Sequence, residues 1–133
     1  MTLSLLSPAV EIGIVTNNPD AMLGFYRDTL GLPYQEKMDF PGGYMHRLAL
    51  GSNVLKLVVM KNAPQQKNPG GGHGAATGYR YASVGVNNLK ETIAMIEQAG
   101  HPVPVPATEI FEGFGFAFAE DPDGNWFEFY GPM

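Results

Sequence analysis

The stretch NWFEFY, residues 125–130, follows a tight-turn sequence, DPDG at 121–124, and sets one carboxylate among four aromatic side chains. Aromatic runs favour strands, and successive strand side chains point to opposite faces. Trp126, Glu128 and Tyr130 therefore share one face while Phe127 and Phe129 share the other. A carboxylate on such a strand is expected to line something polar. An earlier stretch, NVLKLV at 53–58, aligns with it and sets Lys56 at the position of Glu128.

Working outward from these two stretches, the same order of elements occurs twice. VEIGIVT (10–16) reads as a strand. Asn18 stands at a helix cap, Pro19 at the first helical position, and PDAMLGFYRDTL (19–30) reads as a helix stopped by Gly31. PYQEKMDF, GYMHRLAL and NVLKLVVM follow as three strands separated by turn residues. In the second half YRYASVGV is the strand, Asn88 caps the helix LKETIAMIEQA, Gly100 stops it, and HPVPVPATEI, FGFAFAE and NWFEFY are the three strands. Aligning Asn17-Asn18 with Asn87-Asn88 pairs Glu11 with Tyr81. This order predicts an internal duplication, with modules at 8–61 and 79–133 joined by the Gly/Pro-rich segment 62–78, which is expected to act as a linker or hinge.

The faces follow from alternation. Glu11 lies with Gly13 and Val15, opposite the aliphatic set Val10, Ile12 and Ile14. Lys56 lies with Val54 and Val58, and Tyr81 with Tyr79, Ser83 and Gly85. Each polar residue thus falls opposite the face suited to packing under a helix, and Glu11, Lys56, Tyr81 and Glu128 are expected to meet in one cavity if the two sheets combine.

Composition bounds the function. The 8 Lys and Arg residues are scattered and the net charge is −5, which gives no electrostatic footprint for nucleic acid or an anionic membrane. With no cysteine, disulfides, thiolate nucleophiles and sulfur metal ligands are excluded, so any metal needs His or carboxylate ligands. The opening MTLSLLSPAV lacks a basic start and breaks at Pro8, so a cytoplasmic chain is expected. The run GGGHG is followed by no Lys-Ser/Thr and is no phosphate loop.

VEIGIVTNNPDAMLGFYRDTLGL, above all its FYRDTLGL end, and AFAEDPDGNWFEFYGP resemble the opening and closing motifs of the vicinal oxygen chelate superfamily. The resemblance covers residues 8–130. It implies an α+β fold of two βαβββ modules forming a cupped mixed sheet around a central cleft, as in glyoxalases. It also implies four ligand positions in the metal-dependent members, here Glu11, Lys56, Tyr81 and Glu128. Glu11 and Glu128 can hold a divalent metal, whereas an ammonium has no lone pair to donate and a neutral phenol is a poor ligand. The cofactor expectation is therefore none or one divalent metal.

A cation between carboxylates can stand in for a metal's charge. The first expectation is a lyase, isomerase or epimerase that moves a proton on a small carbonyl compound, with Glu11, Lys56, Tyr81 and Glu128 as its catalytic set. The second is a metal-free binding protein similar to the bleomycin resistance proteins. An extradiol dioxygenase, which needs two histidines and a carboxylate, ranks third. His46, Phe114, Trp126 and Tyr130 are the expected substrate contacts, Phe116 and Phe118 are expected in the core, His73 on a flexible lid, and His101 exposed. The resemblance also implies a homodimer.

Overall fold

The computed structural model describes all residues, 1–133. The chain divides into two compact units, Met1–Gln65 and Gln66–Met133. No helix is long and apolar enough to cross a membrane.

In the first unit β1 (Glu11–Val15) leads into α1 (Pro19–Leu23), followed by β2 (Tyr34–Phe40), β3 (Gly43–Leu50) and β4 (Asn53–Met60). The strands form one mixed sheet in the order β1-β4-β3-β2. Parallel strands need a crossover, and α1 supplies it between β1 and its partner β4. Met22, Leu23, Phe25 and Tyr26 are buried, as are Leu48, Leu55 and Leu57 of the sheet.

The second unit repeats this order: β5 (Tyr81–Gly85), α2 (Leu89–Gln98), β6 (Val105–Phe111), β7 (Phe114–Glu120) and β8 (Trp126–Pro132), in a sheet ordered β5-β8-β7-β6. Leu89, Ile93 and Ile96 of α2 are buried, as are Ala117, Ala119, Phe127 and Phe129 of the sheet. Each alanine stands opposite a phenylalanine, Ala117 against Phe129 and Ala119 against Phe127, so small and large side chains alternate on that face. The expected fold class, two βαβββ modules of α+β type, is the observed one.

The parallel pairings verify the register of the duplication. Glu11 faces Val54 as Tyr81 faces Trp126, and Gly13 faces Lys56 as Ser83 faces Glu128. Lys56 and Glu128 thus occupy equivalent places in their sheets.

Three local expectations differ from the structure. The first helix is α-helical only to Leu23 and continues from Gly24 to Thr29 as a π-helix, with the Leu30 N–H donating to the Phe25 carbonyl at 2.9 Å. The wider turn accompanies complete burial of the adjacent Phe25 and Tyr26, whose rings pack edge to face with centroids 4.8 Å apart. Asn18 and Asn88 stand at the cap positions without a capping side-chain bond. The Thr16 hydroxyl accepts the Asn18 N–H instead, at 2.9 Å, and Thr92 and Asn88 bond through their side chains at 3.2 Å. Gly31 and Gly100 do end their helices, with φ of 76° and 88°. His101 is half-buried rather than exposed.

Leu57 is fully buried on the helix-facing side of β4. Leu57→Ala is expected to destabilise the chain by about 2–5 kcal/mol, measured by chemical denaturation. A loss below about 1 kcal/mol would mean that this face of β4 is not the core of the first unit.

Candidate functional site

On the exposed face of the first sheet, β1 and β4 bring Glu11 and Lys56 together, and β3 adds a third group. Arg47 stands directly opposite Lys56 in the β3–β4 pairing. Its guanidinium grips Glu11 with two bonds, Nη1 to Oε1 at 3.0 Å and Nη2 to Oε2 at 3.2 Å. Lys56 Nζ lies 3.3 Å from the same Oε1. The hydrogen bonds from Arg47 and then Lys56 hold the Glu11 carboxyl below its ordinary pKa, and Glu11 in turn raises that of Arg47. One carboxylate is thus shared by two cations. Arg47 was not among the expected site residues.

His46 lies on the other face of the sheet. Expected as a substrate contact, it pairs with Leu57 in the β3–β4 register and so lies on the helix-packing face, opposite Glu11 and Lys56. Its Nδ1 bonds the Tyr34 hydroxyl at 2.8 Å, and its ring packs edge to face on Tyr44 at 5.5 Å. Desolvation, followed by the positive charge of Lys37 and Arg27, pushes its pKa down.

In the second unit Glu128 is half-buried on β8 beside β5. The Ser83 hydroxyl donates to Glu128 Oε1 at 2.6 Å, and Glu128 enters no ion pair. Ser83 faces Glu128 across the parallel pairing and was also missed as a site residue. Around Glu128 the face is aromatic. Phe118 stands directly opposite it, Phe116 opposite Tyr130, and Trp126 opposite Tyr81. Phe118, expected in the core, is buried there, and Phe116 is half-buried; the β7–β8 register puts both on the Glu128 face. Trp126 and Tyr130 are where they were expected, and Phe114 shares this face at its far end, its ring stacked at 4.9 Å on Phe111 and 6.3 Å from Tyr130. Tyr81 is half exposed, with its ring edge-on to Phe118 at 5.0 Å.

The turn that launches β8 is built around a buried carboxylate. Asp121 accepts the N–H groups of Asp123 at 3.0 Å and Asn125 at 2.9 Å, and the Asn125 side-chain amide as well. These bonds set where β8 begins, and hence which of its residues face Ser83 and Phe118.

The boundary between the two units falls inside the glycine-rich segment, after Gln65. Residues 66–78 belong to the second unit, where Arg80 clamps them: its Nε donates to the Gly72 carbonyl at 2.8 Å, Nη1 to Asn68 Oδ1 at 3.1 Å and Nη2 to the Pro69 carbonyl at 2.7 Å. Gly72 has φ of 57° and lies against the Trp126 indole, so close that a Cβ there would overlap the ring. Only glycine meets both conditions. With a further contact from Nη2 to the Gly70 carbonyl at 3.3 Å, one arginine makes four polar bonds to this segment.

The chain belongs to the Glyoxalase/Bleomycin resistance protein/Dioxygenase superfamily. That family model matches residues 9–129. Among solved structures, the glyoxalase family protein of Enterococcus faecalis is 26% identical, with a TM-score of 0.68 over 92% of this chain and 94% of that one. The trypanothione-dependent glyoxalase I of Leishmania major is 25% identical, with a TM-score of 0.71 over 91% of this chain and 84% of the other. A glyoxalase family protein of Bacillus cereus is 13% identical with a TM-score of 0.83 over 98% and 97%, a likeness of fold alone. No curated protein matches the chain.

Superfamily members often hold a divalent metal, and the side chains here do not fit one. No three His, Asp or Glu side chains gather into a metal-binding group. Both Glu11 oxygens are already bonded to Arg47, and the Lys56 ammonium beside them has no lone pair to donate. Calorimetric titration of chelator-stripped protein with Zn(II), Ni(II) and Mn(II) is expected to show no stoichiometric tight binding, and tight binding would overturn this account of the donor set.

The ion-paired Glu11 also has a pH signature. Its folded pKa lies below the unfolded value, so its contribution to stability is present at neutral pH and is lost as pH falls below about 4.3 and through the folded value. Wild type is expected to be more stable than Glu11→Gln at pH 7 and to lose that advantage toward pH 3, measured by denaturant midpoint. An advantage unchanged with pH would remove the ion pair as its source.

Proposed function

We propose that the chain is an enzyme of the lyase, isomerase or epimerase type that moves a proton on a small carbonyl compound, with Glu128 as the base. The observation that carries this is the contrast between the two glutamates. Glu11 is neutralised by two cations, whereas Glu128 has one hydroxyl donor, no cation and an aromatic setting. A carboxylate bound to Arg and Lys is a weakened base, and one held by a single hydroxyl keeps its second oxygen for substrate.

Glu128 takes the proton from the carbon beside the carbonyl. The electron pair of that bond moves to the carbonyl oxygen, and the enolate accepts a hydrogen bond from the Tyr81 hydroxyl. Return of the proton to another carbon or the other face gives the isomer. Similarity to a glyoxalase I supports carbonyl chemistry, while Lys56 and Tyr81 at two ligand positions disfavour the metal-dependent glyoxalase I reaction itself. A cytoplasmic homodimer without nucleic-acid or membrane partners completes the proposal.

A second reading is favoured by the aromatic face itself. Phe114, Phe116, Trp126, Tyr130 and Tyr81 around one carboxylate also suit a protein that sequesters a flat ligand without turning it over. The extradiol dioxygenase reading finds no two-histidine, one-carboxylate set.

Phenylacetone, an aromatic ketone with exchangeable protons beside its carbonyl, separates the two. Catalysed exchange of those protons into D2O, followed by NMR, is expected for wild type and is expected to fall about a hundredfold or more in Glu128→Gln. Exchange at the buffer rate with wild type, together with saturable binding, would leave the sequestering protein.

A further inference from the structure

The segment 68–74 is held with more bonds than a connection between strands needs, and what it holds out is His73. Arg80 binds the backbone on the N-terminal side of the histidine at Pro69 and Gly72, and Asn68 is tied both to Arg80 and to Asn125. Gly72 is buried against Trp126. The short 3-10 turn Gly72–Gly74 then sets the imidazole on three rings, 5.3 Å from Phe118, 5.4 Å from Trp126 and 6.1 Å from Tyr81. The side chain is exposed, and neither ring nitrogen has a protein partner.

Its position relative to Glu128 follows from the register. Phe118 is the direct cross-strand neighbour of Glu128, with Cβ atoms about 4.5–5.5 Å apart in such pairs. His73 rests on that same Phe118 ring, so imidazole and carboxylate flank one phenylalanine on one face of the sheet. Tyr81 touches Phe118 from a third side, and its hydroxyl too has no protein partner. A phenylalanine at 73 would keep the same ring contacts and bring no hydrogen-bonding atom to this face.

We propose that His73 is a ligand-binding residue of the Glu128 face, offering an imidazole nitrogen to the polar group of a small planar molecule whose ring lies against Tyr81 and Phe116. The inference rests on reading the Glu128 face as the ligand site. The ligand class is an uncharged aromatic or other flat compound bearing a carbonyl or hydroxyl. Tyr81 and Phe116 supply the apolar contact, and His73, Tyr81 and Glu128 supply a donor, a donor and an acceptor that converge on its polar edge.

Trp126, the one tryptophan of the chain, touches His73 and so reports on it. Phenylacetone titrated into wild type is expected to change the Trp126 fluorescence saturably. In His73→Phe, which keeps the ring contacts and removes both nitrogens, affinity is expected to fall about three- to tenfold, the loss of one hydrogen bond. Arg80→Met, which frees the loop while leaving His73 in place, is expected to weaken binding similarly and to broaden the His73 ring signals in NMR. Unchanged affinity in His73→Phe, or no binding of phenylacetone to wild type, would overturn the proposal. Binding that depends on His73 without proton exchange would support it and remove the proton-transfer reading instead.

Discussion

The parallel pairing of the first and last strand in each module is the constraint on which the rest depends. It sets β1 beside β4 and β5 beside β8, and so decides which side chains share the face away from the helix. A slip of one residue in β8 turns Glu128 toward α2 and brings Phe127 and Phe129 out, burying an unpaired carboxylate under an apolar helix. That cost holds the register firmly. The Asp121 turn on one side and the aliphatic and aromatic core on the other both enforce it.

On this common frame the two modules have diverged in chemistry. At three equivalent places the first carries Glu11, Lys56 and Arg47, and the second carries Tyr81, Glu128 and Phe118. The first is a closed ionic cluster in which each oxygen of the carboxylate is bonded. The second is an aromatic surface with one carboxylate and little to neutralise it. Ion pairs open to water contribute little to stability, so the first cluster owes its persistence to geometry more than to energy. The half-buried carboxylate of the second has a single hydroxyl donor.

Much of this was legible in the sequence, because period-two alternation and the repeated order of elements are local signals. The faces taken by Glu11, Lys56, Tyr81 and Glu128 follow from alternation within their own strands. Arg47 was missed because its partner is set across a hairpin. Counting outward from the Gly51–Ser52 turn pairs Leu50 with Asn53 and so Arg47 with Lys56, and the same count past the Asp121 turn sets Phe118 against Glu128. The same count puts His46, one residue from Arg47, on the other face. The glycine-rich segment was opaque for a different cause. Its order comes from Arg80, a residue whose bonds reach back 8 to 12 positions along the chain, and composition carries no trace of such a clamp. The π-helical turn after Leu23 likewise answers to burial of two adjacent aromatic rings, which helix propensity does not register.

The equivalence of positions 56 and 128 has a consequence for what such a fold can encode. In an assembly of two identical short chains, every residue is written once and read twice, so a lysine at one site forces a lysine at its mate. Here both copies lie in a single reading frame and each position is written separately. One copy can then carry the cation and the other the carboxylate, and a substitution in one half leaves the other half as it was. The tandem chain has traded symmetry for a vocabulary of opposite charges, which no homomeric version of the same module can express.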